Sequence, residues 1–281
     1  VVSTQSTGND EELNFLRLSH ITKETFNLAE DKSVLNECLI LTRNGYSQTF
    51  SRQNFKYVFA PKVKSMCDDM LRQNKELLGV YAPEVVDLQY GAFIDCRKLK
   101  QLDFPLLQSI STHTFTRCDS LVKVELPSLK KTKDLGFYCC ESLKEFIAVN
   151  LEVMQTDCFQ GCTKLERFVA PRLSFIKGYP FKRCCLLNRI CCQLLIQKCS
   201  EFKCECGGCP KCLGWFERAK SWNGKFLIHN QHQLKQFGGL ITLQGQISFQ
   251  NIKVQRVTEL ERQFFQLQET LDVQLFDLGT E

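Results

Sequence analysis

Tryptophan, methionine and histidine are scarce in this 281-residue chain, with 2, 3 and 4 residues respectively. The four histidines (His20, His113, His229 and His232) are accompanied by no glycine-rich phosphate loop and no paired metal carboxylates. That lack of a catalytic constellation predicts a non-enzymatic protein. A Cys–His nucleophile pair is available arithmetically, but nothing marks one thiol as activated. No apolar run reaches the roughly 18 residues that a membrane span needs. The opening VVSTQSTGNDEELN is polar and has no signal-peptide core. It predicts a cytoplasmic protein; a cell-surface or secreted protein is the alternative if an upstream signal was removed.

What is abundant is phenylalanine and cysteine, 22 and 17 residues, beside only 6 Tyr. Many of both fall on a period of 22 residues. Phe93, Phe115, Phe137, Phe159 and Phe181 share it, as do Cys96, Cys118, Cys140, Cys162 and Cys184, and Leu99, Leu121, Leu143, Leu165 and Leu187. A fixed period of this length marks a solenoid, whose units bury their apolar sides only by stacking. Weaker copies lie upstream in Val58-x-Ala60-Pro61-x-Val63 and Val80-x-Ala82-Pro83-x-Val85. The position before the Phe is usually small (Ala92, Thr114, Gly136, Cys158), as expected where the chain turns tightly beneath an aromatic stack. The cysteine column calls for a small side chain that packs as a hydrophobe and donates weakly to a buried carbonyl. Most of the 17 thiols are therefore expected to be reduced and structural, because disulfide frameworks belong to short secreted chains without an adequate core.

The repeated Phe-x-x-Cys-x-x-Leu-x-x-Leu-x-Phe-Pro-x-Leu-x-x-Ile, read from Phe93 to Ile110, resembles the leucine-rich repeat of the BspA-like class. The resemblance covers a little over half of the chain. It implies an α/β solenoid, a parallel-stranded array of about seven 22-residue units with N- and C-terminal caps. The expected organisation is a partly helical capping segment at 1–44, with a helix within 10–35, and the repeat array at 45–200. A Cys-rich basic cap ending in an amphipathic helix follows at 201–281. Relatives in this class are commonly adhesive surface proteins of microbes.

In such an array the residues that alternate with buried strand positions face outward. One column reads Phe59, Tyr81, Asp103, Glu125, Ile147, Val169, Cys191; its neighbour reads Tyr57, Gly79, Gln101, Lys123, Glu145, Arg167, Arg189. Aromatic and Arg side chains are enriched in interface hot spots. The candidate partner-binding residues are therefore Tyr57, Phe59, Tyr81, Asp103, Lys123, Glu125, Glu145, Ile147, Arg167, Val169 and Arg189, and the expected partner is a protein. Two other readings stay open: these residue types also stabilise strands by cross-strand contact, and the chain's own termini could fold over the face.

Beyond the repeats, Cys204, Cys206, Cys209 and Cys212 form C-x-C-x-x-C-x-x-C, and four thiolates can close a tetrahedral zinc site. The spacing is denser than usual, and Cys206 also continues the cysteine column, so core packing competes with metal binding. No cofactor is expected; zinc is the alternative. Residues 172–225 carry 11 Lys/Arg against three Glu, a local excess of +8 beside +5 for the whole chain. This stretch gives a second functional reading, a metal-stabilised protein binding nucleic acid or an acidic partner, although no nucleic-acid module is present. Val257, Leu260, Phe264, Leu267 and Leu271 form a short apolar stripe suited to a capping helix.

Overall fold

A computed structural model describes residues 7–44, 46–187 and 189–192. The chain divides into units Val1–Trp222 and Asn223–Glu281, and all the described residues belong to the first. The zinc candidates Cys204–Cys212, most of the basic stretch and the terminal apolar stripe lie outside the described residues.

Each turn of the array places one short strand on the face and another on the back. After α1 (Thr7–Leu18), α2 (Lys23–Leu28) and β1 (Val34–Leu35), the face strands are β2 (Cys38–Ile40), β3 (Tyr57–Phe59), β5 (Gly79–Tyr81), β7 (Gln101–Asp103), β9 (Lys123–Glu125), β11 (Glu145–Ile147), β13 (Arg167–Val169) and β15 (Arg189–Cys191). From β3 onward they start every 22 residues, which gives the seven turns that the period predicts. The back strands are β4 (Ser65–Met66), β6 (Asp87–Leu88), β8 (Ser109–Ile110), β10 (Lys131–Thr132), β12 (Val153–Met154) and β14 (Phe175–Ile176). They form one parallel six-stranded sheet. Among the described residues, helix is confined to the N-terminal segment. The face ladder starts with β2, before residue 45, where Cys38 pairs in parallel with Tyr57.

The helix expected within 10–35 is two helices, because α1 ends in a Schellman motif. His20 takes φ 54°, its N–H bonds the Arg17 carbonyl, and the Ile21 N–H reaches back to Leu16. Thr22 then caps α2 by accepting from the Thr25 amide at 3.1 Å.

The Phe column is a stack. Successive rings from Phe93 to Phe159 lie 5.1–5.2 Å apart and within 12° of parallel, and Phe181 continues the stack at 5.7 Å. At this corner the backbone is unusual. Residues two before and two after the Phe position adopt positive φ on nearly every turn, including Gly91 and Asp95, His113 and Arg117, Leu135 and Cys139, and Asp157 and Gly161. The alternation turns three amides toward the next turn, so that Gly91, Phe93 and Asp95 donate to the carbonyls of Thr112, Thr114 and Thr116. Left-handed backbone costs about 1–2 kcal/mol at a non-glycine residue, and the hydrogen bonds it permits offset that cost.

The cysteine column performs its expected role. The thiols of Cys118, Cys140, Cys162 and Cys184 donate to the carbonyls of Phe93, Phe115, Phe137 and Phe159, at 3.0–3.3 Å. Cys96 makes the same bond to Leu71. One turn earlier Asn74 stands in the column, and its amide nitrogen bonds Phe50 and Leu71 carbonyls at 2.8 and 2.9 Å. Burial pushes the Cys96 thiol up to about 12 and holds Cys118 and Cys162 well above the usual thiol range.

The face ladder is interrupted. It consists of a five-stranded sheet ending at β7 and a four-stranded sheet starting at β9. The position following the strand is Ala60 or Ala82 on the two turns before and Ala148 or Ala170 on the two turns after, but Phe104 and Leu126 on these two adjacent ones. Both large side chains are buried, at 2% and 0% exposure. Two of them on neighbouring turns need more room than the alanine spacing provides, and the ladder opens there.

Three measurements check this account. Phe137→Ala, which removes a fully buried ring from the stack, lowers stability by about 3–5 kcal/mol in denaturant unfolding. Gly161→Ala places a Cβ at φ +81° only 2.7 Å from Cys139 Sγ; a loss of about 1–2 kcal/mol or more is expected in the same assay. Brief alkylation of native protein followed by peptide mapping labels exposed Cys185 and leaves Cys118, Cys140 and Cys162 unlabelled until denaturant is added.

Candidate functional site

The strand face is not uniform along its length. At the N-terminal end, α1 lies across it. Phe15 packs edge-on to Tyr57 at 5.6 Å and against Phe59 and Tyr81 at 6.0 and 5.6 Å, while Phe26 of α2 meets Phe59 at 4.7 Å. Phe59 and Tyr81 stack on each other at 5.1 Å and are 0% and 5% exposed. The expectation that these two aromatics are exposed is thus corrected: the chain's own N-terminal segment covers them. Tyr57 is half-buried beside them.

Gly79 makes this cover possible. Every other described turn carries a side chain at its position, whereas a Cβ on Gly79 would sit 3.3 Å from Tyr57 Cδ1 and 3.4 Å from Phe15 Cε2. The glycine leaves a slot into which the Phe15 ring fits.

The middle of the face is polar and accessible. Lys123 Nζ lies 2.6 Å from Glu125 Oε1, with the side chains 46% and 33% exposed. Glu145, at 36%, faces Arg167 at 3.8 Å. Gln101 and Asp103 are half-buried. Burial lifts the Asp103 carboxyl to about 6, and Glu11 of α1 adds to the shift because two carboxylates near one another resist ionising together. Further along, Ile147 and Val169 are buried, at 7% and 1% exposure, which corrects their expected exposure too. The backbone of Arg189 pairs in β15 with Arg167, and its side chain lies outside the described residues.

The structure therefore brings Asp103, Lys123, Glu125, Glu145 and Arg167 together as one charged strip across four turns, and separates Tyr57, Phe59 and Tyr81 from it. Sequence reading missed Gln101 as part of the strip, and missed Phe15 and Gly79 as a matched pair. A lone glycine in a strand column was the available signal. No group of three or more His, Cys, Asp or Glu suited to a metal occurs among the described residues. Nor is any described helix long and apolar enough to cross a membrane.

Comparison with known proteins agrees with the geometry. Residues 86–201 match the family described as BspA type leucine rich repeat region, in six copies. No curated protein matches the chain. Among solved structures, a leucine-rich repeat protein of T. pallidum is 20% identical with a TM-score of 0.37, and the match covers 54% of this chain and 84% of that one. A leucine-rich repeat protein from Bacteroides ovatus ATCC 8483 is 16% identical with a TM-score of 0.25, covering 53% of this chain and 58% of that one. Within residues 86–201, the 22-residue turns with their stacked phenylalanines and thiol-to-carbonyl ladder thus match a leucine-rich repeat region of the BspA type.

Proposed function

We propose that the protein is a non-enzymatic interaction scaffold that binds a protein partner through the charged strip formed by Gln101, Asp103, Lys123, Glu125 and Glu145. The observation that carries this reading is the contrast along the face. Phe59, Tyr81, Ile147 and Val169 are buried, and the accessible part between them is a row of charged and amide side chains carried by β7 on one side of the opening and by the paired strands β9 and β11 on the other. Parallel pairing of β9 with β11 fixes Lys123, Glu125 and Glu145 relative to one another, which favours recognition of a complementary surface. Three carboxylates against Lys123, with Arg167 only 11% exposed, leave the strip acidic and suited to a partner surface rich in Lys and Arg.

The test is site-specific photo-cross-linking in the native cell. A cross-linker at Lys123 is expected to trap a defined protein, and one at the exposed back-strand residue Lys131 is not. The double substitution Asp103→Lys, Glu145→Lys should lower the Lys123 adduct at least tenfold, equivalent to about 1.4 kcal/mol or more, without lowering the thermal midpoint. Equal trapping from both positions, or trapping indifferent to charge reversal, overturns the assignment.

A further inference from the structure

A capping helix normally seals the open end of a core, and α1 does not. The main core runs from the first turn, where Leu39, Leu41, Tyr46 and Phe50 close it, to Leu187 and Cys192 without any residue of α1. Phe15 and Leu16 belong instead to a second, separate cluster built on the outer side of β2, β3 and β5. The array is thus closed without α1, and α1 occupies part of the face that the reading above assigns to partner binding.

Its hold there is narrow. A 12-residue helix is marginal by itself. Among residues 11–18, only Phe15 and Leu16 are fully buried, while Leu13 and Leu18 are each 43% exposed. Charge at the contact opposes docking: Glu11 of α1 faces Asp103 of β7, and two carboxylates near one another resist ionising together. The connection to α2 is the short turn from Ser19 to Thr22, with His20 in left-handed backbone. Phe26 of α2 makes its own contact with Phe59, at 4.7 Å.

We propose that α1 is a displaceable internal ligand: the slot over Gly79, walled by Tyr57, Phe59 and Tyr81, receives an amphipathic helix bearing one aromatic residue from a partner, and α1 occupies it until that helix arrives. The proposal rests on the strand face being the binding surface, and it names a second subsite there with its own chemistry. The occupant is defined by α1 itself, whose Phe15 shows what the slot accepts. Docking is also linked to pH. The Asp103 carboxyl is raised to about 6, chiefly by burial and further by Glu11 of α1, so protonating Asp103 relieves the carboxylate repulsion that the docked helix carries and deprotonating it restores that repulsion. Acid therefore tightens α1 and neutral pH loosens it.

The test uses the full chain and a fluorescein-labelled peptide of residues 7–22, followed by anisotropy. A short tether supplies an effective concentration on the order of 1 mM, so an intrinsic Kd on the order of 100 µM makes the wild-type chain bind the peptide about tenfold more weakly than a chain whose own α1 is undocked. Phe15→Ala in the full chain is expected to produce that tenfold gain, and adding Gly79→Leu, which fills the slot, to abolish binding. Equal affinity for wild type and Phe15→Ala, no binding to Phe15→Ala, or indifference to Gly79→Leu overturns the proposal. Hydrogen exchange of the wild type needs no variant. Amides of 15–18 should exchange at least 100-fold faster than those of Val58 and Val80, by local opening, and faster still relative to them at pH 7 than at pH 5; equal protection overturns the proposal. The two readings fail separately: peptide binding tests the slot, and charge reversal at Asp103 and Glu145 tests the strip.

Discussion

The corner beneath each phenylalanine is the constraint on which the rest depends. Three alternate amides there must find carbonyls on the next turn, because buried N–H groups left unpaired are costly. They do so only when the residues flanking the ring lie in left-handed backbone, as at Gly91 and Asp95 or Leu135 and Cys139. Once that corner repeats, the offset between turns is fixed at one period. The rings then stack near 5 Å, and the thiols three residues later meet the phenylalanine carbonyls of the preceding turn. The packing of the apolar columns follows from hydrogen bonding of the backbone, with the side chains chosen to fit.

Polar groups inside the array are handled by small donors. Cysteine fills a narrow volume and satisfies a carbonyl, and Asn74 does the same with a stronger donor near the first turn. Thr132 replaces the large apolar residues found elsewhere in its column, and its hydroxyl is met by the Cys158 thiol at 3.3 Å. The pair is internally consistent: Cys158 also holds the small position before Phe159, so one thiol meets two requirements. Thiols used in this way are locked away from solvent, and burial keeps them protonated.

The columns that point inward were legible in the sequence, since burial imposes the same residue type on every turn. Phe93 to Phe181, Cys96 to Cys184 and Leu99 to Leu187 all sit where the period puts them. The back sheet was not legible. Its strands are two residues long with one residue inward, too short for alternation to register, and Thr132 broke the column. Positive φ was hidden too, because only Gly91, Gly161 and Gly178 announce it while Leu135 and Arg117 do not. Along the face, Phe59 and Tyr81 illustrate a different limit. An aromatic that meets a partner and one that meets its own N-terminal helix are the same residue type, and only the fold distinguishes them. The position of Phe15, more than 40 residues upstream of β3, carries no periodic signal at all.

The opening between β7 and β9 sets the mechanical character of the array. The back sheet runs unbroken past the same point, from β8 to β10. One side of the solenoid is therefore tied together and the other is slit, as in the spine and fore-edge of a book. Asp103 and Glu125 lie on opposite sides of the slit, and parallel pairing ties each to the strands on its own side only. The charged strip is thus divided between two plates joined at the back, and the division falls where Phe104 and Leu126 stand in place of alanine.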